Sequence, residues 1–273
     1  MRKFLLIFAC FTIILMLFLA IFAPLIAPFD PTAINLEAKF LDPSQTYILG
    51  TDHLGRDIFS RLIYGARVSF FCVFLTLFLV LVFGGVAGGV AGFMGGKIDQ
   101  ALMRICDLFF GIPTIVLALF LVSIFGSGTL NIIIAIAITH WAWYARFIRS
   151  IVLSLKNKEY VLTSKLCGAS GVANFKQNML RVIASQCIIL ATLDIGHIML
   201  HISGLSFLGL GVKAPDAEWG IMISDAKEFL FSAPHLIYYP GIALFLCVAS
   251  FNIAGDYLRD RLDSGDFEEL SNA

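Results

Sequence analysis

Three ionisable side chains, Asp194, His197 and His201, fall inside one apolar run, residues 182–207, at i, i+3 and i+7. If the run is a helix, that spacing puts all three on one face. Neutral imidazole suits nickel, copper, zinc and iron, and a carboxylate adds charge compensation. Ionisable groups at membrane depth are costly and face a bundle interior or a water-filled path. A single helix does not supply a full coordination sphere. The chemistry expected of Asp194, His197 and His201 is therefore a transient waypoint for a divalent metal or its chelate. The same three residues also suit a buried hydrogen-bond network that ties helices together. His140, beside Trp141, is expected to be structural, His53 to shape its loop, and His235 to sit at an interface. The acidic stretch 263–269 is expected to be solvated.

The elements that carry these residues follow from composition. Of 273 residues, 59% are apolar and only 14% charged, and the mean hydropathy is +0.90. Soluble domains carry about 25% charged residues. Apolar segments recur at 4–24, 68–94, 112–125, 130–147, 182–207 and 236–257. In lipid only helices or closed barrels satisfy the backbone, and these continuous runs lack barrel alternation. The fold class expected is an all-α integral membrane protein with about six transmembrane helices. The third run is short and must borrow from 105–110, which draws Asp107 towards the membrane. The first run follows Arg2 and Lys3 and is longer than a signal-peptide core, so it reads as an uncleaved anchor. With the N-terminus inside, thirteen of the 19 Lys and Arg residues fall in cytoplasmic segments. That bias puts both termini in the cytoplasm.

Two segments between the apolar runs are long. Residues 28–67 start with a Pro-Phe-Asp-Pro turn and lie outside on this topology. Residues 148–181 are basic and amphipathic and lie inside, where so long an insertion suggests a docking surface. In the second expected helix Gly84, Gly88, Gly92 and Gly96 recur at every fourth position, with Gly85 and Gly89 beside them. One face is then nearly bare backbone and admits another helix at close range. The six cysteines form no Cys-x-x-Cys pair, so zinc and redox motifs are absent and no structural disulfide is expected. The zero net charge points to no nucleic-acid partner. The nearest approach to a P-loop, Gly95-Gly96-Lys97, is followed by Ile98 and lacks the upstream glycine, because residue 91 is Ala. ATP cannot be held here in that manner.

Several stretches carry a family resemblance. Leu49-Gly50-Thr51-Asp52-His53-Leu54-Gly55-Arg56-Asp57 with Ser60-Arg61, and Ser206-Phe207-Leu208-Gly209-Leu210-Gly211-Val212 with Glu218-Trp219-Gly220, resemble two signatures of the dipeptide, oligopeptide and nickel permeases of ABC importers. Residues 159–170 resemble the cytoplasmic coupling loop of such permeases. Leu162-Thr163-Ser164 stand where the loop's Glu-Ala-Ala falls, Gly168 fits its glycine, and Arg181 stands in place of a later proline. The stretch His140-Trp141-Ala142-Trp143-Tyr144-Ala145-Arg146 and the one from Thr192 to His201 resemble the nickel branch; peptide permeases usually lack this aspartate and these histidines.

The resemblance implies the ABC importer permease fold and the second of two membrane subunits. Its partners would be the other permease subunit, two cytoplasmic ATPases that use ATP and Mg, an external substrate-binding protein, and membrane lipid. This chain would bind no cofactor and have no enzymatic activity of its own. Residues 1–66 would form the anchor and external segment, 67–258 the permease core, and 259–273 a cytoplasmic tail, all in the bacterial inner membrane. Glu159, Tyr160, Lys165 and Gly168 would couple to the ATPases. Asp52, Arg56, Asp57 and Arg61 would pair within their loop or meet the binding protein. The cargo implied is nickel or a related divalent metal. A dipeptide or oligopeptide permease is the alternative within the fold, and a scaffold that transports nothing the alternative outside it.

Overall fold

The computed structural model describes residues 2–271, with side chains described through residue 261. The acidic stretch 263–269 has its side chains outside that range. The order is α1 (Arg2–Ile21), a short α2 (Ala23–Ile26), α3 (Ile58–Met94), α4 (Gly96–Phe110), α5 (Thr114–Phe125) and α6 (Thr129–Lys156). Then come α7 (Glu159–Leu166), a short α8 (Gly171–Asn174), a π-turn (Phe175–Met179), α9 (Leu180–Phe207), α10 (Trp219–Ala226) and α11 (His235–Ser271). Five helical stretches are long and apolar enough to cross a membrane, and α4 with α5 makes a sixth if that bent pair is one span. The all-helical, multi-pass expectation holds.

Helix directions follow from side-chain contacts. Gly84 of α3 faces Tyr144, and Gly92 faces Val152, so α3 and α6 run parallel. Tyr144 meets Asp194 and His140 meets His201, so α6 and α9 are antiparallel. Leu193 faces Gly255, and Gly196 faces Val248, so α9 and α11 are antiparallel too. Arg2 pairs with Asp260 at 3.5 Å, which reverses α1 against α11. The start of α1, the ends of α3, α6 and α11, and the turn region 157–179 therefore share one side of the bundle.

Because α3 and α6 point the same way, the chain between them must return across the bundle, and α4 with α5 does so. α4 climbs alongside α6: Asp99 pairs with Arg149, Asp107 with Arg146, and Phe109 meets Trp141 edge-on. The chain then turns by 89° before α5. Pro113 lacks an N–H and keeps its predecessor out of the helical region, so the two pieces cannot fuse. The expected extension from 105–110 is present but kinked. Asp107 stays half exposed beside Arg146, whose guanidinium also lies 4.2 Å over the Phe110 ring.

Two boundaries differ from the apolar runs. α3 begins ten residues before residue 68, because Asp57 caps it by accepting from the Ser60 N–H at 2.8 Å and its polar first turns are buried. α6 runs nine residues past 147 to Lys156, whose ammonium reaches the Phe93 carbonyl at 2.9 Å. Hydropathy marks only what lipid must cover. The core joins Phe70, Val73 and Val80 of α3 to Ile132, Ile136 and Tyr144 of α6, Ile198 and Ile202 of α9, and Trp219. Large apolar side chains such as Phe78, Phe83, Phe120, Ile124 and Phe245 remain outside. For a membrane-spanning bundle that surface is what lipid or a partner helix covers.

Candidate functional site

The predicted stripe lies on α9 where it crosses α6. Asp194 is buried, and the Tyr144 hydroxyl donates to its Oδ2 at 3.1 Å. Oδ1 of Asp194 lies 3.8 Å from Nδ1 of His197, whose side chain is 68% exposed. His201, two turns along from Asp194, is half-buried, and its Nδ1 is fully buried with no hydrogen-bond partner. Its ring meets that of His140 edge-on, with centroids 5.1 Å apart. The stripe therefore runs from an exposed histidine to a fixed carboxylate and a buried imidazole. Among the described residues no three His, Cys, Asp or Glu side chains are grouped to hold a metal ion. Asp194, His197 and His201 line up without closing a coordination shell.

Sequence reasoning missed two members of this cluster. Tyr144 fixes the carboxylate, and His140, expected to be structural, packs directly on His201. Both lie on one face of α6 at i and i+4, and that spacing was the available signal. Which α9 residues they would meet depends on packing between helices fifty and more residues apart in sequence.

The turn region presents a second constellation. Glu159, Tyr160, Lys165 and Gly168 are all exposed. Gly168 has a φ of +91°, and an added Cβ there would meet nothing within 4 Å. Its glycine is thus explained by the turn after α7, not by close approach within this chain. Leu166 and Val172 stand 88% and 74% exposed beside it. The platform beneath is firm: Val161 is buried against Val152, Leu155 and Met179, and the Asn174 side-chain amide donates to the Val161 carbonyl at 2.8 Å.

The opposite end carries a buried polar lock. Arg56 donates through Nε to Asp52 at 2.6 Å and through Nη2 to Asp225 at 3.2 Å. Arg61 lies 3.6 Å from Asp52 and 3.7 Å from Asp225 and donates to the Pro31 carbonyl at 3.0 Å. Glu218 caps α10 by accepting from the Ile221 N–H at 3.1 Å and from the Ser203 hydroxyl at 2.6 Å. Trp219 Nε1 donates to the Leu62 carbonyl at 3.1 Å. The first signature thus packs on α10 through Asp225, and Trp219 of the second bonds the start of α3 one residue beyond Arg61. Asp52, Arg56 and Arg61 pair inside the fold, and Asp57 acts as a helix cap. Asp225, the shared acid, lies beyond both quoted motifs and gave no signal of its own.

The chain is thus a multi-pass helical bundle with a structured turn on one side and a polar lock on the other. Residues 82–265 match the family of binding-protein-dependent transport system inner membrane components. Residues 2–43 match the N-terminal transmembrane domain of oligopeptide transport permease C. The chain belongs to the first family, the permease subunits of ABC importers. It is 50% identical over 236 residues to the nickel transport system permease protein NikC of Escherichia coli (strain K12), covering 86% of this chain and 85% of that protein. It is 43% identical over 251 residues to the metal-staphylopine import system permease protein CntC of Staphylococcus aureus (strain NCTC 8325 / PS 47), covering 92% and 87%. It is 38% identical over 261 residues to the dipeptide transport system permease protein DppC of Haemophilus influenzae, again covering 92% and 87%.

Proposed function

We propose that this subunit carries nickel or a related divalent transition metal, free or chelated, along a path lined by Asp194, His197 and His201. The observation that carries the reading is a carboxylate and two imidazoles on one face of α9, with Asp194 buried, His201 half-buried and His197 exposed. Such groups are retained at membrane depth where they serve a path or a partner, and their donor types are those of nickel ligands. The 50% identity to a nickel permease supports the same cargo. Transport would proceed by alternating access. Glu159, Tyr160, Lys165 and Gly168 would sit in a cleft of the cytoplasmic ATPases, which bind and hydrolyse ATP with Mg. A second permease subunit would complete the path, and an external binding protein would deliver the cargo. Both termini would be cytoplasmic, with 1–66 as anchor and external segment, 67–258 as core and 259–273 as tail.

The test replaces His197 and His201 by Ala and Asp194 by Asn in the complete transporter. Nickel uptake falls sharply while protein level and assembly stay near wild type. If the stripe only links helices, thermal stability falls by about 0.6 and at most ~1.7 kcal/mol per broken hydrogen bond while nickel uptake per assembled complex stays at the wild-type rate. A triple variant that assembles and imports nickel at the wild-type rate sinks the cargo reading. Uptake of a dipeptide by the wild type, with no nickel uptake, would point to the peptide branch.

A further inference from the structure

We propose that α6 supplies a second ligand to this path: His140 and His201 form a two-nitrogen site, one imidazole from each helix, for a divalent transition metal. The inference rests on the cargo reading above and adds a residue to it. Its first ground is the state of the His140 ring. Nδ1 lies 3.1 Å from the Ile136 carbonyl and 3.1 Å from the Thr139 hydroxyl, and that hydroxyl is 2.9 Å from the same carbonyl. A carbonyl oxygen only accepts. The one arrangement that makes both contacts to Ile136 hydrogen bonds has Thr139 donating its hydroxyl proton and His140 donating from Nδ1. The lone pair is then on Nε2. Ligating histidines are prepared in the same way, with one ring N–H on a backbone carbonyl and the other nitrogen free to bind.

The second ground is His201. Its Nδ1 is fully buried and has no partner. A buried polar atom left unpaired costs about 1–3 kcal/mol, and a bound cation or a donor on the cargo would remove that cost. The third ground is distance. Metal–imidazole bonds of about 2.0–2.1 Å put two ligating nitrogens on one ion about 3 Å apart, a spacing compatible with rings whose centroids are 5.1 Å apart. The described residues hold no third ligand of these types, so the remaining positions belong to the cargo's own ligands, to water or to the partner subunit. A two-point hold of this kind suits an ion that must leave again. A purely structural role for the ring pair needs the edge contact and the Nδ1–H bond to Ile136, but no free Nε2.

That difference is the test. The complete transporter in proteoliposomes is prepared as wild type, His140→Phe and His140→Cys, with Ni²⁺, Cd²⁺ and Co²⁺ as probes. His140→Phe keeps the ring contact and loses both nitrogens, so nickel uptake per assembled complex falls about tenfold or more, while the thermal midpoint drops only by the loss of one hydrogen bond to Ile136. His140→Cys keeps a softer donor. Cd²⁺ then competes with nickel uptake about tenfold more effectively than in wild type, and Co²⁺ gives a thiolate-to-metal absorption band absent from the wild-type spectrum. Wild-type uptake in His140→Phe, with no Cd²⁺ shift and no band in His140→Cys, overturns the site. If His140→Phe fails to assemble, the Cd²⁺ shift and the Co²⁺ band in His140→Cys decide the matter by their presence or absence. A defective stripe variant with normal His140 variants removes only the two-helix site. A stripe variant with normal uptake removes the cargo reading and this site together.

Discussion

Among the described residues the Tyr144 hydroxyl is the one hydrogen-bond donor to Asp194, at 3.1 Å across the α6–α9 contact. Without it the buried carboxylate would have no hydrogen-bond donor among the described residues, and a buried acceptor without a donor is expensive. Tyr144 therefore holds Asp194 in a fixed orientation. Tyr144→Phe and Asp194→Asn should each lower the thermal stability of the purified complex, and the double variant should lose less than the sum. The coupling expected is about 0.6 and at most ~1.7 kcal/mol, read from a double-mutant cycle. Strictly additive losses would show that the two residues do not interact.

At the scale of elements, the glycines of α3 divide into two rows with different surroundings. An added Cβ at Gly84 would come within 2.6 Å of the Tyr144 Cβ, and one at Gly92 within 2.7 Å of the Val152 Cβ; Gly88 lies directly on the Ala145 backbone. At Gly85 and Gly89 the nearest atoms are 4.0 and 3.9 Å away, in ordinary contact. The first row is the seam that lets α3 and α6 pack at backbone distance. Gly96 does not continue it: α3 ends at Met94, and Gly95 and Gly96, with φ of +66° and +61°, turn the chain into α4. Gly88→Ala should cost about 1–3 kcal/mol as overpacking and reduce the yield of assembled complex. Gly85→Ala on the neighbouring row should be tolerated, with both read by thermal unfolding in detergent. Equal losses in the two variants would argue against the seam.

At the scale of the molecule, the antiparallel and parallel contacts put the start of α1, the region 157–179 and the end of α11 on one side, away from the Arg56–Asp225 lock. On the proposed topology that side, which carries the surplus of Lys and Arg, is the cytoplasmic one. With native cysteines removed, a cysteine at Ser44 should react with an impermeant thiol reagent in intact cells and one at Ser170 should not. The reverse pattern would invert the molecule and place the α7 region outside. Within that frame, Gly168→Trp should weaken association with the ATPases by crowding the exposed turn. Gly168→Ala shares the left-handed backbone cost but lacks the bulk and should retain more binding. Assembly and transport unchanged in Gly168→Trp would remove the docking role from this turn. The chain alone should show no ATPase activity, because no phosphate-cradling loop is present in its sequence.

The sequence alone determined the solvent of this protein, its all-helical multi-pass class and its family. Those properties are sums over many residues: continuous apolar length, charge bias, and two long signatures that survive imprecise boundaries. It also determined that Asp194, His197 and His201 share a face, because helical periodicity is local. What tertiary structure decided was everything set by one helix against another. His140 and Tyr144 became partners of the stripe only when α6 crossed α9. Asp52, Arg56 and Arg61 chose each other and Asp225 only when residues 49–61 folded against α10. The 89° turn between α4 and α5 required Pro113 to break a helix that hydropathy would have continued. Local spacing fixes which face a side chain occupies, but the neighbour across that face comes from elsewhere in the chain, and only packing selects it.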